Sequence, residues 1–111
     1  MVFTDYEETT LTRDEVDAMQ GPVVIEFGAS WCGICRGTKP HAEAAFEEYE
    51  NVRHIRVEDG PGKKLGRSFK IKLWPTFVFM QDGKVVQTAV RPTSEREISE
   101  GLAAIAGNVN G

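Results

Sequence analysis

The chain has 111 residues, a formal net charge of −4, and a composition of 41% hydrophobic and 27% charged residues. This length fits one domain, the composition is that of an ordinary globular protein, and the negative charge argues against nucleic-acid binding. No apolar run approaches the roughly 20 residues that a membrane span needs. Residues 1–8 are acidic and lack the apolar stretch of a secretory signal, so we expect a cytoplasmic protein that is not attached to a membrane.

The start of the chain predicts a polar segment followed by a short helix. Residues 1–10 are polar and threonine-rich, and residues 9–11 are expected to form a short edge strand. Thr12 and Glu15 have the spacing of a capping box, which predicts the beginning of a helix. We expect Gly21-Pro22 to end this helix.

The next segment, residues 23–27, is an apolar run that only Glu26 interrupts. Such runs are typical of strands that are buried on both faces, at the centre of a sheet. The carboxylate has two interpretations: it lies at the end of the strand and reaches water, or it is partly buried below the following loop with a raised pKa. We favour the second interpretation.

The two cysteines of the chain, Cys32 and Cys35, follow this strand directly. They stand at the beginning of a predicted helix over residues 33–50, which contains Pro40. A strand that delivers a C-x-x-C pair to the first turn of a helix is typical of a redox-active dithiol. The unpaired N–H groups and the positive end of the helix dipole favour the thiolate of Cys32. Cys35 lies one turn further on, so its sulfur can reach that of Cys32.

The second half of the chain predicts a strand, a short helix, a hairpin and a closing helix. The expected elements are a strand over 52–58, a helix over 63–69, strands over 77–80 and 84–90 joined by the Asp82-Gly83 turn, and a helix from Thr93 or Ser94 to Gly107. Residues 108–111 are expected to form a frayed tail. This order predicts an α/β fold whose mixed sheet of about four or five strands is covered by helices on both faces.

Four features, in this order along the chain, resemble the thioredoxin family over residues 12–106. Residues 23–27 stand where that family has an apolar strand with a buried acid, and residues 31–35, Trp-Cys-Gly-Ile-Cys, resemble its Trp-Cys-Gly-Pro-Cys site. Pro40 matches its helix-kinking proline, and residues 74–76, Trp-Pro-Thr, resemble its cis-proline segment. The resemblance implies a single thioredoxin-fold domain over residues 1–111 that reduces protein disulfides.

The resemblance also implies a role for each residue of the site. Cys32 would attack the substrate, Cys35 would resolve the mixed disulfide and so form a Cys32–Cys35 bridge, and Glu26 would be the base for Cys35. The substrate-binding residues would lie around the dithiol and the cis-proline: Trp31, Gly33, Ile34, Trp74, Pro75, Thr76 and Arg91. The partners would be protein disulfides and an upstream dithiol reductase of the thioredoxin-reductase kind. We expect a monomer without cofactor or metal.

Three departures from the family pattern concern specificity and redox poise. Ile34 stands where thioredoxins have proline, Trp74 replaces a smaller β-branched residue before the cis-proline, and Arg91 occupies the place of a glycine. The lysine that thioredoxins pair with the buried acid has no clear counterpart, and Arg56 or His54 is expected nearby. These departures indicate a family member with its own partners.

Three other functions stay open at this point. Two chains could pool their C-x-x-C pairs into a tetrahedral zinc site, although the sequence offers no further ligand pair at a suitable spacing. The fold could serve as a non-catalytic interaction or chaperone module. The dithiol could also be more oxidising than that of thioredoxin and act as a disulfide isomerase or oxidase.

Overall fold

The computed structural model describes residues 4–106, and these form a sheet with helices on both of its faces. The strands are β1 (Pro22–Gly28), β2 (Arg53–Glu58), β3 (Thr76–Gln81) and β4 (Lys84–Val90). The helices are α1 (Arg13–Asp17), α2 (Gly33–Phe46), α3 (Lys64–Ser68) and α4 (Glu95–Ala106). The predicted order of helices and strands is therefore confirmed.

Strand β1 is the centre of a four-stranded sheet with the order β2-β1-β3-β4. It pairs with β2 in parallel and with β3 antiparallel, so the predicted mixed sheet is confirmed. Residues 23–28 of β1 are all buried, as the apolar run predicts for a strand covered on both faces. The strand ends at Gly28, and the chain then enters the loop that carries the dithiol.

Side chains alternate between two apolar cores because successive residues of a strand point to opposite faces. Val24 contributes to the core below α2 and α4, which Phe46, Phe79 and Leu102 also fill. The other core contains Val23, Ile25 and Phe27 of β1, together with Val16 of α1 and Leu65 of α3. Glu26 has the same parity as Val24, so its carboxylate enters the sheet face that α2 covers.

The caps that the sequence predicts are present. Thr12 and Glu15 exchange both bonds of a capping box at the beginning of α1. The Ser94 hydroxyl accepts a hydrogen bond from the N–H of Glu97, and it thereby caps α4. The predicted end of α4 at Gly107 and the tail 108–111 lie outside the described residues.

Three expectations about the elements are wrong. Helix α1 ends at Asp17 rather than at Gly21-Pro22, because the N–H of Met19 donates to the carbonyl of Val16 in a tighter turn. Residues 9–11 form no strand, because the Thr9 hydroxyl accepts the N–H of Leu11 and turns the chain; a parallel bridge pairs Glu7 with Val57 instead. Helix α2 ends at Phe46 rather than near residue 50. The N–H of Tyr49 donates to the carbonyl of Phe46, and this tighter turn replaces the helical pattern.

Candidate active site

Cys32 and Cys35 form the dithiol at the beginning of α2. Cys32 is the N-cap residue, and its Sγ accepts a hydrogen bond of 3.2 Å from the N–H of Cys35. Both cysteines are free thiols, but Cys32 is 8% exposed and Cys35 only 1%. The first of the two sulfurs is therefore the one that an incoming disulfide can reach, and the second lies behind it.

Burial raises the pKa of the Cys35 thiol to about 11. The hydrogen bond with Cys32 acts in the same direction, whereas hydrogen bonds from the backbone of Ala29 and from the side chain of Tyr6 lower it. At neutral pH the thiol of Cys35 is therefore protonated. It must lose this proton before or while it attacks another sulfur, because the thiolate is the nucleophile.

The carboxylate of Glu26 is fully buried and has four hydrogen bonds from three side chains. Arg56 donates from Nε and Nη2 at 3.0 and 3.1 Å, His54 Nε2 lies at 2.9 Å, and the hydroxyl of Tyr6 donates to Oε2. Burial alone would raise the pKa of Glu26, but the bonds from His54 and Arg56 outweigh it and lower the pKa below its usual value. The predicted burial is confirmed and the predicted raised pKa is wrong.

Tyr6 is the residue that the sequence reasoning missed. Its hydroxyl bonds Glu26, its ring lies 4.1 Å below the guanidinium carbon of Arg56, and it packs in one cluster with Ala29, Cys32 and Cys35. Gly28 leaves the space for this ring, because a Cβ at that position would lie 2.5 Å from it. A tyrosine in a polar segment does not by itself indicate such a contact, since 20 residues separate it from Glu26.

The bond between Trp74 and Pro75 is cis, as predicted. Trp74 is held on two sides: its Nε1 donates to Asp59 Oδ2 at 2.9 Å, and its ring meets that of Trp31 edge to face at 5.5 Å between centroids. The side chain of Thr76 is buried, and its hydroxyl donates to the carbonyl of Leu73. The two tryptophans therefore form a fixed apolar wall next to the dithiol.

Arg91 fastens the end of β4 to the cis-proline segment. Its N–H donates to the carbonyl of Pro75 at 2.8 Å, and its Nε donates to the carbonyl of Trp74 at 2.9 Å. Its φ of 50° lies in the left-handed region, which glycine adopts more easily than other residues. That conformation explains why a glycine is expected here, and the side-chain bond explains what the arginine contributes instead.

The segments that carry Cys32 and the cis-proline form an apolar rim of exposed side chains. Trp31 is 70% exposed, Ile34 47% and Leu73 46%, and the glycine of the dithiol turn, Gly33, is also exposed. Apolar side chains grouped at the surface in this way are typical of a surface that binds another protein. Among the predicted substrate-binding residues, Trp31, Gly33, Ile34 and Arg91 are exposed, Trp74 is half-buried, and Pro75 and Thr76 are buried.

A cavity of about 440 Å³ leads from the surface to Cys35 and Tyr6. Its charged lining residues are Asp5, Arg36, Lys39 and Arg56. A larger cavity of about 510 Å³ lies between residues 9–13 and α3, away from the dithiol. The smaller one is the cavity that bears on the chemistry, because it gives water and protons access to the buried thiol.

Neither a metal cluster nor a spanning helix is found in the part of the chain that the structure describes. Within residues 4–106, no three His, Cys, Asp or Glu side chains are grouped so that they could hold a metal ion. In the same residues, none of the helices has the length and apolar character to cross a membrane.

The chain is similar to known thioredoxins over most of its length. The thioredoxin family model matches residues 5–104. Thioredoxin Asp f 28 of Aspergillus fumigatus is 36% identical over 85 residues, which span 77% of this chain and 79% of that protein. Thioredoxin of Homo sapiens is 32% identical over 81 residues, or 72% and 77% of the two chains. The structure of reduced thioredoxin 2 from Pseudomonas aeruginosa PAO1 matches with a TM-score of 0.85 and 45% identity, and the match covers 96% of this chain and 98% of that one.

Proposed function

The chain belongs to the thioredoxin family and is a thiol–disulfide oxidoreductase that reduces protein disulfides, and we propose that Cys32 and Cys35 carry this reaction. One observation carries the proposal: two free thiols stand one helical turn apart, with Cys32 at the accessible N-terminus of α2 and Cys35 buried behind it. The N–H of Cys35 donates to the Cys32 sulfur, as N–H groups at the beginning of a helix do for an acceptor in the N-cap position.

The reaction proceeds by two thiol–disulfide exchanges. The thiolate of Cys32 attacks one sulfur of a substrate disulfide, forms a mixed disulfide and releases the other substrate sulfur as a thiolate. Cys35 then loses its proton and attacks the sulfur of Cys32. The Cys32–Cys35 bond forms, the bond to the substrate breaks, and the second substrate sulfur leaves as a thiolate that takes a proton from water.

Glu26 is the proposed acceptor of the Cys35 proton. Its ion pair with Arg56 and its contact with His54 keep it ionised at neutral pH, which is the form that accepts a proton. The carboxylate lies on the sheet face below α2, the helix that carries Cys35. General bases of this kind contribute typically 10²–10⁴-fold to a rate.

The substrate is proposed to bind along the rim next to the dithiol. Trp31 and Ile34 offer apolar contact, and Gly33 allows a chain to approach closely. The carbonyls of Trp74 and Pro75 both accept hydrogen bonds from Arg91, and the N–H of Trp74 is the backbone group proposed to pair with an extended substrate strand, as in other strand-addition modes. The exposed Arg91 next to it adds a cation, so we propose a preference for substrates with an acidic residue near the disulfide.

An upstream dithiol reductase of the thioredoxin-reductase kind is the proposed electron donor, because each turnover leaves the Cys32–Cys35 pair oxidised. We further propose that the protein acts as a monomer in a reducing compartment such as the cytoplasm. The support for the compartment is that both cysteines of the chain serve the dithiol and none serves a structural bridge.

Reduction of insulin with a chemical dithiol as electron donor tests the assignment of the two cysteines. Cys32→Ser removes the nucleophile, and we expect it to abolish the catalysed rate. Cys35→Ser keeps the first attack but blocks its resolution, so this variant should accumulate a mixed disulfide through Cys32. Mass spectrometry identifies that adduct. Catalysis by the Cys32→Ser protein at the wild-type rate would contradict the proposal.

A further inference from the structure

Tyr6 lies between Glu26 and Cys35. Its hydroxyl donates a hydrogen bond to Glu26 Oε2, and the same side chain packs in one cluster with Cys35 and lines the same cavity. The contacts of the carboxylate itself go to Tyr6, His54 and Arg56. Tyr6 therefore bonds the buried carboxylate and packs against the buried thiol.

We propose that Tyr6 is a catalytic residue of the resolving step, whose hydroxyl passes the proton of Cys35 to Glu26 while Cys35 attacks the mixed disulfide. The inference rests on the proposed roles of Cys32, Cys35 and Glu26, and it names the group that connects the last two. It assigns a chemical function to the N-terminal segment, which the dithiol motif does not include.

Proton transfer from Cys35 to Glu26 avoids two negative charges in the same buried site. Cys35 is 1% exposed and Glu26 is fully buried, so a thiolate formed without proton transfer would place a second anion in the same buried site. Like charges and burial both disfavour that state. Transfer of the proton to Glu26 moves one negative charge from the carboxylate to the sulfur, and the total charge of the buried site stays constant.

The chemistry of a phenol suits a carrier better than a base. Burial, and next the charge of Glu26, raise the pKa of Tyr6 far above its ordinary value, so the phenol does not lose its proton to water. It can release that proton only while it receives another. Hydrogen bonds in a chain also polarise one another, so the bond to Glu26 makes the phenol oxygen a better acceptor for the thiol.

The resolving step transfers two protons and exchanges one S–S bond for another. The S–H proton of Cys35 moves to the Tyr6 oxygen, and the proton of that oxygen moves to Glu26 Oε2. The Cys35 sulfur bonds that of Cys32, and the substrate sulfur departs as a thiolate. Because the partners of Glu26 lower its pKa, the carboxylate holds the proton only briefly and returns it through Tyr6 to water in the adjoining cavity.

The geometry holds Tyr6 in this position. Its ring packs against the guanidinium of Arg56 and fills the space beside Gly28. The segment itself is fixed by the N–H of Glu7, which donates to the carbonyl of Arg56, and by the N–H of Glu58, which donates to the carbonyl of Glu7. The charged and titratable groups that line the cavity at Cys35 are Asp5, Tyr6, Arg36, Lys39 and Arg56, and Cys32 packs beside the thiol.

The test separates the two exchanges with dithionitrobenzoate as the substrate. Attack by Cys32 releases the first thionitrobenzoate, and attack by Cys35 releases the second in a step whose rate does not depend on reagent concentration. Tyr6→Phe keeps the ring and its packing but removes the hydroxyl. We expect the first release to stay at the wild-type rate and the second to slow by about tenfold to a hundredfold.

Two further readouts distinguish proton transfer from a structural role. The second release in Tyr6→Phe should accelerate with rising pH, because hydroxide or buffer must then remove the Cys35 proton. Glu26→Gln should slow the same step, and the double variant should be no slower than the slower single variant, since both changes interrupt one path.

Tyr49→Phe is the matched control, because Tyr49 packs partly buried against the other end of α2. It should leave both releases unchanged. The proposal is overturned if Tyr6→Phe releases the second thionitrobenzoate at the wild-type rate, or if the effects of Tyr6→Phe and Glu26→Gln multiply. Either result leaves the roles of Cys32 and Cys35 intact, since loss of those roles would abolish the first or the second release altogether.

Discussion

The buried charge of Glu26 is stabilised by hydrogen bonds from three side chains. These bonds connect β1 with the N-terminal segment and with β2. An isolated carboxylate in the interior would cost several kcal/mol. Here the partners are Tyr6 from the N-terminal segment and His54 and Arg56 from β2, each within hydrogen-bond distance. His54 is fixed in turn by stacking on Phe46 of α2 at 4.0 Å between ring centroids.

The pH dependence of stability should report this network. Because the folded protein lowers the pKa of Glu26, its contribution is complete above the unfolded value, about 4.3, and is lost as the pH falls through the folded value. Glu26→Gln should lower the free energy of unfolding at neutral pH by about 3 kcal/mol or more, because Arg56 loses its carboxylate. It should also flatten the loss of stability below about pH 5.

Urea unfolding of the wild type and the variant across this pH range measures both effects. Glu48→Gln is the control, because Glu48 is exposed on the turn after α2. This control should follow the wild-type curve. An acid dependence in Glu26→Gln as steep as that of the wild type would contradict the account.

The site residues that the sequence predicted correctly belong to motifs of a few consecutive residues. Cys32, Cys35 and the cis bond at Pro75 belong to short motifs, in which the neighbours along the chain determine the geometry. Tyr6 and the direction of the Glu26 pKa could not be predicted in this way. Both depend on contacts across the sheet, such as the pairing of Glu26 with Arg56 in register, which no local pattern encodes.

At the scale of elements, capping residues and turns determined most boundaries. The capping box correctly predicted the beginning of α1, and the Asp82-Gly83 turn correctly predicted the connection between β3 and β4, because these signals act within four residues. The predicted strand at residues 9–11 is wrong because another local interaction overrides the strand propensity. Threonine favours strands, but the hydroxyl of Thr9 bonds the backbone locally and competes with sheet pairing.

The contact between α4 and the sheet sets the position of that helix, and Gly101 makes it possible. A Cβ at Gly101 would lie 2.4 Å from the ring of Phe79, which is fully buried and has no space to move into. Gly101→Ala should therefore lower the free energy of unfolding by about 1–3 kcal/mol, although alanine is the better helix former.

Gly37→Ala in α2 is the matched control, since a Cβ there meets no atom within 4 Å. It should raise the free energy of unfolding by about 0.5–1 kcal/mol through helix propensity alone. Chemical denaturation of both variants gives the comparison. Equal stabilisation by the two substitutions would contradict the packing of α4 on Phe79.

At the scale of the whole molecule, the fold assembles one site from distant segments of the chain. The loop after β1 brings the dithiol, the turn before β3 brings Trp74 and Pro75, the end of β4 brings Arg91, and the N-terminal segment brings Tyr6. The family resemblance predicted the places of the first three, because the family shares these segments even where Trp74 and Arg91 depart from its residues. The contribution of Tyr6 depends on Gly28, which leaves the space that the ring fills.

The reduction potential of the Cys32–Cys35 pair tests the central claim, that this dithiol reduces protein disulfides. Equilibration with mixtures of reduced and oxidised glutathione, followed by counting of free thiols, measures it directly. A reductase should lie closer to the roughly −270 mV of thioredoxin than to the roughly −180 mV of protein disulfide isomerase, in spite of Ile34. A potential at or above about −180 mV would contradict the claim and indicate an isomerase or oxidase instead.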